Sequence, residues 1–326
     1  MTQQTAGTQN TQHLATIGNL LKGGLVETPT VLIGAETVQV LLLREAHDFS
    51  IFRTEDTREL NEALTPRSLT ARAPVRRVAF LGGKQKAAES RELQDLLRSA
   101  NKAASRTGAD DCWLKDNLCG VCPRCGLFGA VDVTKGTVKG ANLKHRIEYS
   151  TAFSLLPIEE IGDALTFNAV DEKTQKTGQA LQTRHVVDPT SLFPSVVTLR
   201  SVTAREFGLA VKALLMTTSY GAEGRTGGHM RNQIAGIVVG WEEAITSLEL
   251  TLALADTVAA GSQIDRGEIA AIAGTQKAYC GYPSKVTVLT SEQVEQVVTA
   301  VQTIEVDMDF LNAAYQDVQN LLASQK

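Results

Sequence analysis

The sequence predicts a mixed α+β protein whose sheet core is interrupted by large insertions. Apolar, β-rich runs such as Val38–Leu43 and Ile234–Val239 indicate strands, while Thr203–Met216 repeats apolar residues at helical spacing. From about residue 101 to 144 neither period is present, which is uncommon inside a compact domain unless the segment is functional or separately stabilised. With 326 residues, 43% of them apolar and 21% charged, the chain is typical of globular proteins.

The first elements follow from local composition. Residues 1–30 are expected to form a flexible arm, because they are rich in Gln and Thr at the start. A hairpin is expected from Val38–Leu43 and Phe49–Arg53, with a turn between them. Arg76–Leu81 predicts a further strand that ends at Gly82-Gly83.

A helix is expected after this strand, with Leu93 and Leu97 on its apolar face and Glu89 elsewhere. Residues 166–200 contain two β-like runs separated by a polar stretch. This pattern favours a hairpin that protrudes from the core. The helix at Thr203–Met216 is amphipathic and is followed by the loop Ser219–Asn232.

The last third of the chain is predicted to be mostly helical. Thr246 with Glu249, and Thr290 with Gln293, have the spacing of capping boxes, so each pair is expected to begin a helix. A short strand at Lys285–Leu289 precedes the second of them. The coarse order is β-β-β-α, an insertion, a hairpin, and then α-β-α-β-α-α.

Composition excludes several classes of protein. No stretch approaches the roughly 20 apolar residues that span a bilayer. The first nineteen residues lack the basic start and apolar core of a signal peptide, so a cytoplasmic protein is expected. Five cysteines are too few for a secreted disulfide scaffold, and four of them fall within fourteen positions.

Charge is distributed unevenly along the chain, although the net charge is only −4. Residues 65–150 carry sixteen basic and eight acidic residues, whereas residues 242–326 carry four basic and twelve acidic ones. Binding to a polyanion depends on the local potential of one face, so the acidic total does not argue against a nucleic-acid partner. The other interpretation is that folding mixes the two blocks into an ordinary surface.

The clustered cysteines indicate a metal site. Cys112, Cys119, Cys122 and Cys125 follow the pattern C-x6-C-x2-C-x2-C, and thiolates two residues apart can converge on one tetrahedral ion. Four thiolates would close the site and leave no open position for catalysis. Structural zinc is favoured, and the alternatives are an iron–sulfur cluster or unligated thiols.

Catalytic patterns are scarce in this sequence. The loop Ser219–Asn232 holds four glycines, which permit close approach to a ligand, but it matches neither a Walker motif nor a dinucleotide fingerprint. The five histidines form no H-x-x-x-H pair. His185 and His229 could each act as a base, although lone histidines are more often ordinary surface or core residues.

Several motifs together resemble a known family. They occur in order over about residues 35–260 and comprise Cys119–Cys125, Tyr149–Leu155, Thr166–Ala169, Phe193–Leu199, Tyr220–Thr226 and Ile234–Val238. In this order and spacing the chain is similar to the major backbone subunit of the type I-D CRISPR effector complex, the Cas-seven-type backbone of Cascade.

The resemblance implies a hand-shaped α+β protein with an RRM-like, or ferredoxin-like, sheet core over residues 31–326. A metal-binding insertion with a structural Zn²⁺ would span residues 101–145, and a thumb-like hairpin would span residues 160–195. Such a subunit binds crRNA without cutting it, through phosphates and 2′-OH groups rather than by base readout. Pairing between guide and target then provides specificity.

The implied partners are the crRNA, target DNA (or target RNA), further copies of the chain in a helical filament, and the tail-end, large and small subunits of Cascade; no membrane is involved. The residues expected to contact RNA are basic or polar side chains on the first hairpin, the following strand end, the thumb and the glycine-rich loop. They are Arg44, Arg53, Lys84, Lys86, Arg146, Phe167, Asn168, Arg225, Thr226, Arg231 and Asn232.

Two other functions remain open at this point. A nuclease that processes precursor RNA would use His185 or His229 as its base. A stand-alone metalloprotein would use the cysteine cluster for redox or hydrolytic chemistry.

Overall fold

The structure is a computed structural model of the chain. The residues that it describes are 2–53, 59–106, 112–114, 117–131, 142–166, 169–170, 173–175, 177–178, 183–220 and 229–325.

The described residues form nine α-helices and twelve strands. The helices are α1 (Thr2–Leu20), α2 (Gly82–Ala103), α3 (Pro123–Phe128), α4 (Ile158–Ile161), α5 (Ala204–Met216), α6 (Ser247–Ala259), α7 (Arg266–Lys277), α8 (Ser291–Thr303) and α9 (Met308–Ala323). The strands are β1 (Thr37–Ala46), β2 (Glu62–Pro66), β3 (Pro74–Phe80), β4 (Ile147–Tyr149), β5 (Ala152–Phe153), β6 (Gly162–Thr166), β7 (Ala169–Val170), β8 (Thr177–Gly178), β9 (Thr183–Val187), β10 (Leu192–Arg200), β11 (Met230–Gly240) and β12 (Val286–Val288).

The central sheet is antiparallel and has the strand order β12-β11-β1-β10-β4. Without β12, its strands follow the chain as β1-α2-β4-β10-α5-β11. This is the split β-α-β arrangement of ferredoxin-like proteins, in which the first strand lies between the third and the fourth. The predicted α+β class with an RRM-like sheet core is therefore confirmed.

Helices cover both faces of this sheet. Val38, Val40 and Leu42 of β1 pack into a core that also contains side chains of α1, α2, α5, α8 and α9. Leu41 and Leu43 point to the opposite face and pack against α6 and α7. Burial on both faces explains why β1 is a nearly continuous apolar run instead of an alternating one.

The expected first hairpin is wrong. β1 pairs along its whole length with β10 and β11, so its neighbours come from the second half of the chain. Residues 51–53 form no strand. The apolar run of β1 was identified correctly, but it was paired with the run nearest to it in the sequence. Its real partners are distant in sequence, and local patterns do not indicate such pairings.

The amino-terminal segment is a helix and not the expected arm over its first twenty residues. Ile17 is fully buried at the end of α1, and Leu21 is buried just beyond it. Asn10 links this helix to the segment between α8 and α9. Its side-chain amide donates to the Glu305 carbonyl at 2.8 Å and accepts from the Glu305 backbone N–H at 2.9 Å. A Gln- and Thr-rich helix with few apolar anchors gives no periodic signal in the sequence.

Three smaller sheets accompany the central sheet among the described residues. Strands β2, β3 and β5 form one of them, and the side chains of Phe52, Phe80 and Phe193 meet beneath it, with ring centroids 4.7 to 6.3 Å apart. Strands β6 and β9 pair antiparallel, as do β7 and β8, within the segment predicted to form a protruding hairpin.

None of the helices among the described residues has the length and apolar character that a membrane crossing requires.

The helix starts agree well with the sequence. Thr246 with Glu249 and Thr290 with Gln293 form the predicted capping boxes of α6 and α8. Helix α7, in contrast, was not predicted. Its buried residues, Ile269 and Ala273, are too few and too small to produce an apolar stripe.

A buried ionic cluster holds the start of α5. Thr203 and Glu206 form a capping box, and the guanidinium of Arg146 forms a two-pronged ion pair with the Glu206 carboxylate. Asp317 of α9 accepts a hydrogen bond from the Thr203 hydroxyl at 3.1 Å, and Arg205 lies 3.3 Å from the same carboxylate oxygen. Burial, opposed by Arg205, raises the pKa of Asp317 to about 6.

This raised pKa predicts a pH dependence of stability. An unfolded Asp has a pKa of about 3.9, so between about pH 4 and pH 6 the folded chain binds more protons than the unfolded chain. The free energy of unfolding should therefore fall as the pH rises through this interval, with a contribution from Asp317 of roughly 3 kcal/mol. Asp317→Asn should remove this contribution, as measured by urea unfolding from pH 4 to pH 7.

The matched control is Asp309→Asn, an exposed position of the same helix, which should retain the wild-type slope. An unchanged slope in Asp317→Asn would contradict the prediction.

Candidate functional site

The four clustered cysteines converge in space. Their sulfur atoms all lie within 4.8 Å of one another, and Cys112, Cys122 and Cys125 are buried while Cys119 is half-buried. The Sγ–Sγ distance is 3.5 Å from Cys112 to Cys125, 3.8 Å from Cys112 to Cys122, and 3.9 Å from Cys119 to Cys125. No pair is a disulfide.

These distances fit one tetrahedral metal ion. Sulfur atoms bonded to a central ion at about 2.3 Å stand about 3.8 Å apart at the corners of a regular tetrahedron. Hydrogen bonds from the neighbouring thiols, that of Cys112 foremost, strongly lower the pKa of the Cys125 thiol and lower that of Cys119 to about 7, whereas hydrogen bonds within the same group raise the pKa of Cys112 and Cys122. Cysteine binds metals as the thiolate, and the convergence of the four sulfur atoms, rather than these opposed shifts, suits the cluster to a cation.

Surrounding residues hold the cysteines in place. Cys122 precedes α3, with Pro123 at the first helical position, and Gly120 has a positive φ of 69° that the tight turn requires. Arg124 Nη1 lies 3.9 Å from the Cys125 sulfur, and its Nε donates to Ser90 of α2 at 2.8 Å. The cluster is thereby tied to the long helix beside the sheet.

A second arrangement lies at the root of the glycine-rich loop. The side chain of Arg44 is fully buried, and its Nη1 donates to Glu89 of α2 at 2.7 Å and to Asn232 of β11 at 3.0 Å. The Tyr220 hydroxyl, at the start of the loop, donates to Glu89 at 2.7 Å. Burial by itself lowers the pKa of Arg44, but the charge and hydrogen bond of Glu89, together with the nearby Tyr220 and Tyr149, outweigh this effect and raise it.

Three of the residues expected to bind RNA therefore have internal partners. Arg44 and Asn232 belong to the buried network, where the Asn232 amide also donates to the Leu214 carbonyl at 2.6 Å. Arg146 is paired with Glu206 and is only 2% exposed. These three predictions are corrected, because side chains committed to buried partners are not available to phosphate.

Arg231, another of the predicted residues, is accessible, and so are polar side chains next to it. Arg231 is exposed on β11, opposite Glu45 of β1, and Gln233 is exposed two positions further. His47 and His229 lie beside them, with ring centroids 6.3 Å apart. We call these four side chains the polar strip: Arg231, Gln233, His47 and His229. The bridge between Ser219 and His229 closes the base of the glycine-rich loop next to this strip.

The remaining predicted residues fall into two groups. Arg53, Lys84 and Lys86 are half-buried, and the two lysines lie in the first turns of α2 rather than in a flexible strand end. Outside the described residues lie Phe167, Asn168, Arg225 and Thr226.

Sequence reasoning missed Glu89 and Tyr220, which hold the loop root. Glu89 was placed away from the apolar face of its helix, yet it is fully buried. A buried carboxylate is recognisable only once its cationic partner is known, and Arg44 lies 45 positions away. Tyr220 is the second residue of the loop Ser219–Asn232, and no pattern in the sequence marked it as a partner of Glu89.

Comparison with protein families gives a match over most of the chain. A family model described as Csc2 Crispr matches residues 25–315. A search among curated proteins finds no significant match.

Solved structures share the fold. The crystal structure of Csc2 from Thermofilum pendens is similar with a TM-score of 0.62 at 17% sequence identity, over 95% of this chain and 96% of that one. A chain of a structure titled CRISPR RNA-guided surveillance complex aligns with a TM-score of 0.51 at 11% identity, over 81% of this chain and 99% of that one. Both likenesses support the antiparallel α+β core described above.

The cysteine cluster predicts that the purified protein contains about one metal ion per chain. Cys125→Ser should reduce the metal content to near zero and lower the melting temperature, because the segment around α3 is held by the ion. Metal content can be measured by plasma mass spectrometry. Cys280→Ser, at a half-buried position outside the cluster, should keep the metal; equal metal in both variants would contradict the assignment.

The buried network predicts a strong coupling between Arg44 and Glu89. Glu89→Gln should cost about 3–5 kcal/mol, because it leaves a buried guanidinium without its counter-charge. Arg44→Met together with Glu89→Gln should cost clearly less than the sum of the two single changes. Urea unfolding of the four proteins measures this coupling, and additive costs would disprove it.

Proposed function

We propose that this chain, which belongs to the Csc2 family of CRISPR proteins, is the non-catalytic crRNA-binding backbone subunit of a type I-D Cascade complex. The observation that carries the proposal is the polar strip beside the glycine-rich loop. There, Arg231 is exposed at the edge of a rigid sheet, and the loop starts from a residue anchored in the core.

The chemistry of the strip suits a nucleic-acid backbone. Guanidinium, amide and imidazole groups donate hydrogen bonds to phosphate and 2′-OH oxygens, and such contacts position a strand without reading its sequence. Glycines in the adjacent loop permit close approach of the protein backbone to the strand. A subunit that must hold guides of any sequence needs this kind of contact.

The helices on both faces of the sheet restrict where RNA could bind. RNA binding across an open sheet face is excluded around β1, because α2 covers one side, and α6 and α7 cover the other. Contacts would instead run along the end of the sheet at the polar strip and continue to the lysines at the start of α2.

Copies of the chain would stack head to tail along the guide in a helical filament. Such a heterologous, non-closing contact joins two different surfaces of the subunit. The excess of positive charge in residues 65–150 and of negative charge in residues 242–326 would make neighbouring copies attract one another. The other Cascade subunits and the target nucleic acid would complete the assembly in the cytoplasm.

The metal is proposed to be zinc, held by Cys112, Cys119, Cys122 and Cys125. Bound there, it would supply no reaction chemistry, since four thiolates complete its coordination and it has no redox activity. Its role would be to brace the segment that packs against α2. An iron–sulfur cluster would be recognised by its iron content and visible absorption.

A processing nuclease is the alternative that the histidines raise. His229 lies beside His47, whereas His185 is exposed on β9 near Glu159 and Asp163. Incubation with precursor RNA separates the two functions. We expect no cleavage by the wild-type protein, and specific cleavage that is lost in His229→Ala or His185→Ala would overturn the non-catalytic proposal.

The proposal predicts that the protein purified from its host carries RNA of defined length, with varied spacer sequences joined to a constant repeat-derived end. Nuclease protection and sequencing measure this. In binding assays with single-stranded RNA, Arg231→Ala should weaken affinity and reduce the slope of log K against log salt by about 0.7, as expected for one lost phosphate contact.

Arg72→Ala is the matched control, because Arg72 is exposed in the turn between β2 and β3, away from the polar strip. It should leave both affinity and slope unchanged. The backbone proposal fails if the protein retains no RNA and does not bind added RNA at low salt.

A further inference from the structure

A cavity of about 720 Å³ lies between α2 and the cysteine segment. Its volume falls in the range of about 300–1,000 Å³ that is usual for small-molecule sites. Leu118, Phe128 and Leu143 supply apolar lining, and no Asp or Glu is among the described residues that line the cavity. Four basic side chains surround it: Lys86, Arg124, Lys144 and His145.

The charge of the two lysines is poorly compensated. Lys86 and Lys144 form no hydrogen bond or ion pair with any residue that the structure describes, and the nearby Glu148 is engaged with Arg200 at 3.2 Å. Burial, followed by the charge of Arg124, lowers the pKa of Lys86. Burial, followed by the charge of Lys86, lowers the pKa of His145. Like charges therefore face one another here, and an anion would relieve their repulsion.

The apolar part of the cavity limits what that anion can be. Leu114 and Val131 at the cavity are large apolar side chains that remain 45% and 54% exposed. An inorganic phosphate would leave this surface in water. A ligand with a flat, mainly apolar body and an attached phosphate would cover it and also meet the lysines.

We propose that this cavity holds one unstacked nucleotide of the bound RNA, with its base in the apolar part and its phosphate at Lys86 and Lys144. The inference rests on the proposed RNA-binding function and adds to it a site for a base. Apolar contact with a base face is insensitive to sequence, because every base has such a face. The site is thus compatible with guides of any sequence.

Gly83 allows a direct test of the base site. It lines the cavity in the first turn of α2, and a Cβ built there would meet no atom within 4 Å. Gly83→Phe should place a ring in the cavity and compete with a base for its apolar part, while Gly83→Ala changes the helix backbone equally and leaves the cavity open. The probe is single-stranded RNA that contains several 2-aminopurines, whose fluorescence rises when a base leaves the stack.

Wild type and Gly83→Ala should increase this fluorescence on binding. In Gly83→Phe the increase should be lost, and the affinity should fall roughly fivefold or more. Similar melting temperatures of the two variants would exclude misfolding as the cause.

The phosphate site is tested independently by Lys86→Gln combined with Lys144→Gln. This double change should reduce the slope of log K against log salt by about 1.4, as expected for two lost contacts with one strand. Lys102→Gln, an exposed position of the same helix outside the cavity, should leave the slope unchanged.

The outcomes separate this inference from the proposed function. If wild type, Gly83→Phe and the double lysine variant bind RNA with equal affinity and equal fluorescence, the cavity does not hold a nucleotide, and the RNA-binding proposal survives. If these variants bind RNA normally but fail to assemble with other Cascade subunits, the occupant is a protein segment and the inference is wrong. If wild type binds no RNA, both proposals fail.

Discussion

The buried ion pair between Arg44 and Glu89 is the contact on which the arrangement of the site depends. Arg44 belongs to the central strand β1 and Glu89 to the helix α2. Hydrogen bonds to Tyr220 and Asn232 connect this pair to the root of the glycine-rich loop and to the neighbouring strand β11. Separating the two charges would leave each of them buried without compensation. The pair therefore holds β1, α2, β11 and the loop root in one relative position. A loop that starts from such an anchor keeps its base fixed even when it binds a flexible strand.

Local signals were sufficient to predict much of the fold and the convergence of the four cysteines. The capping boxes, the amphipathic α5 and the cysteine cluster all involve residues close together in sequence, so their geometry follows from spacing alone. Arg44 and Arg146 were misassigned for the opposite reason. Their partners lie 45 and 60 positions away, and an arginine in a strand looks the same in the sequence whether it meets RNA or a buried carboxylate.

Covering both sheet faces has a consequence for any ligand. In a sheet with one open face, the strands themselves can offer side chains to a partner. Here α6 and α7 occupy the face that α2 leaves free, so the accessible side chains lie beyond the helices, at Arg231 of β11 and at His47 just after β1. The proposed RNA binding would thereby fall to the loop root, the start of α2 and the insertions.

The cysteine cluster and the basic cavity are physically continuous. Arg124 lines the cavity, lies 3.9 Å from the Cys125 sulfur and donates to Ser90 of α2, so it joins the two. Gly129 and Leu143, which also line the cavity, lie on the segment that begins at α3, and the Gly129 carbonyl accepts from Arg124 at 3.4 Å. A metal that braces this segment would therefore also set the width of the cavity. Structural zinc would then influence RNA binding without touching RNA, because it fixes one wall of the place where a nucleotide is proposed to sit.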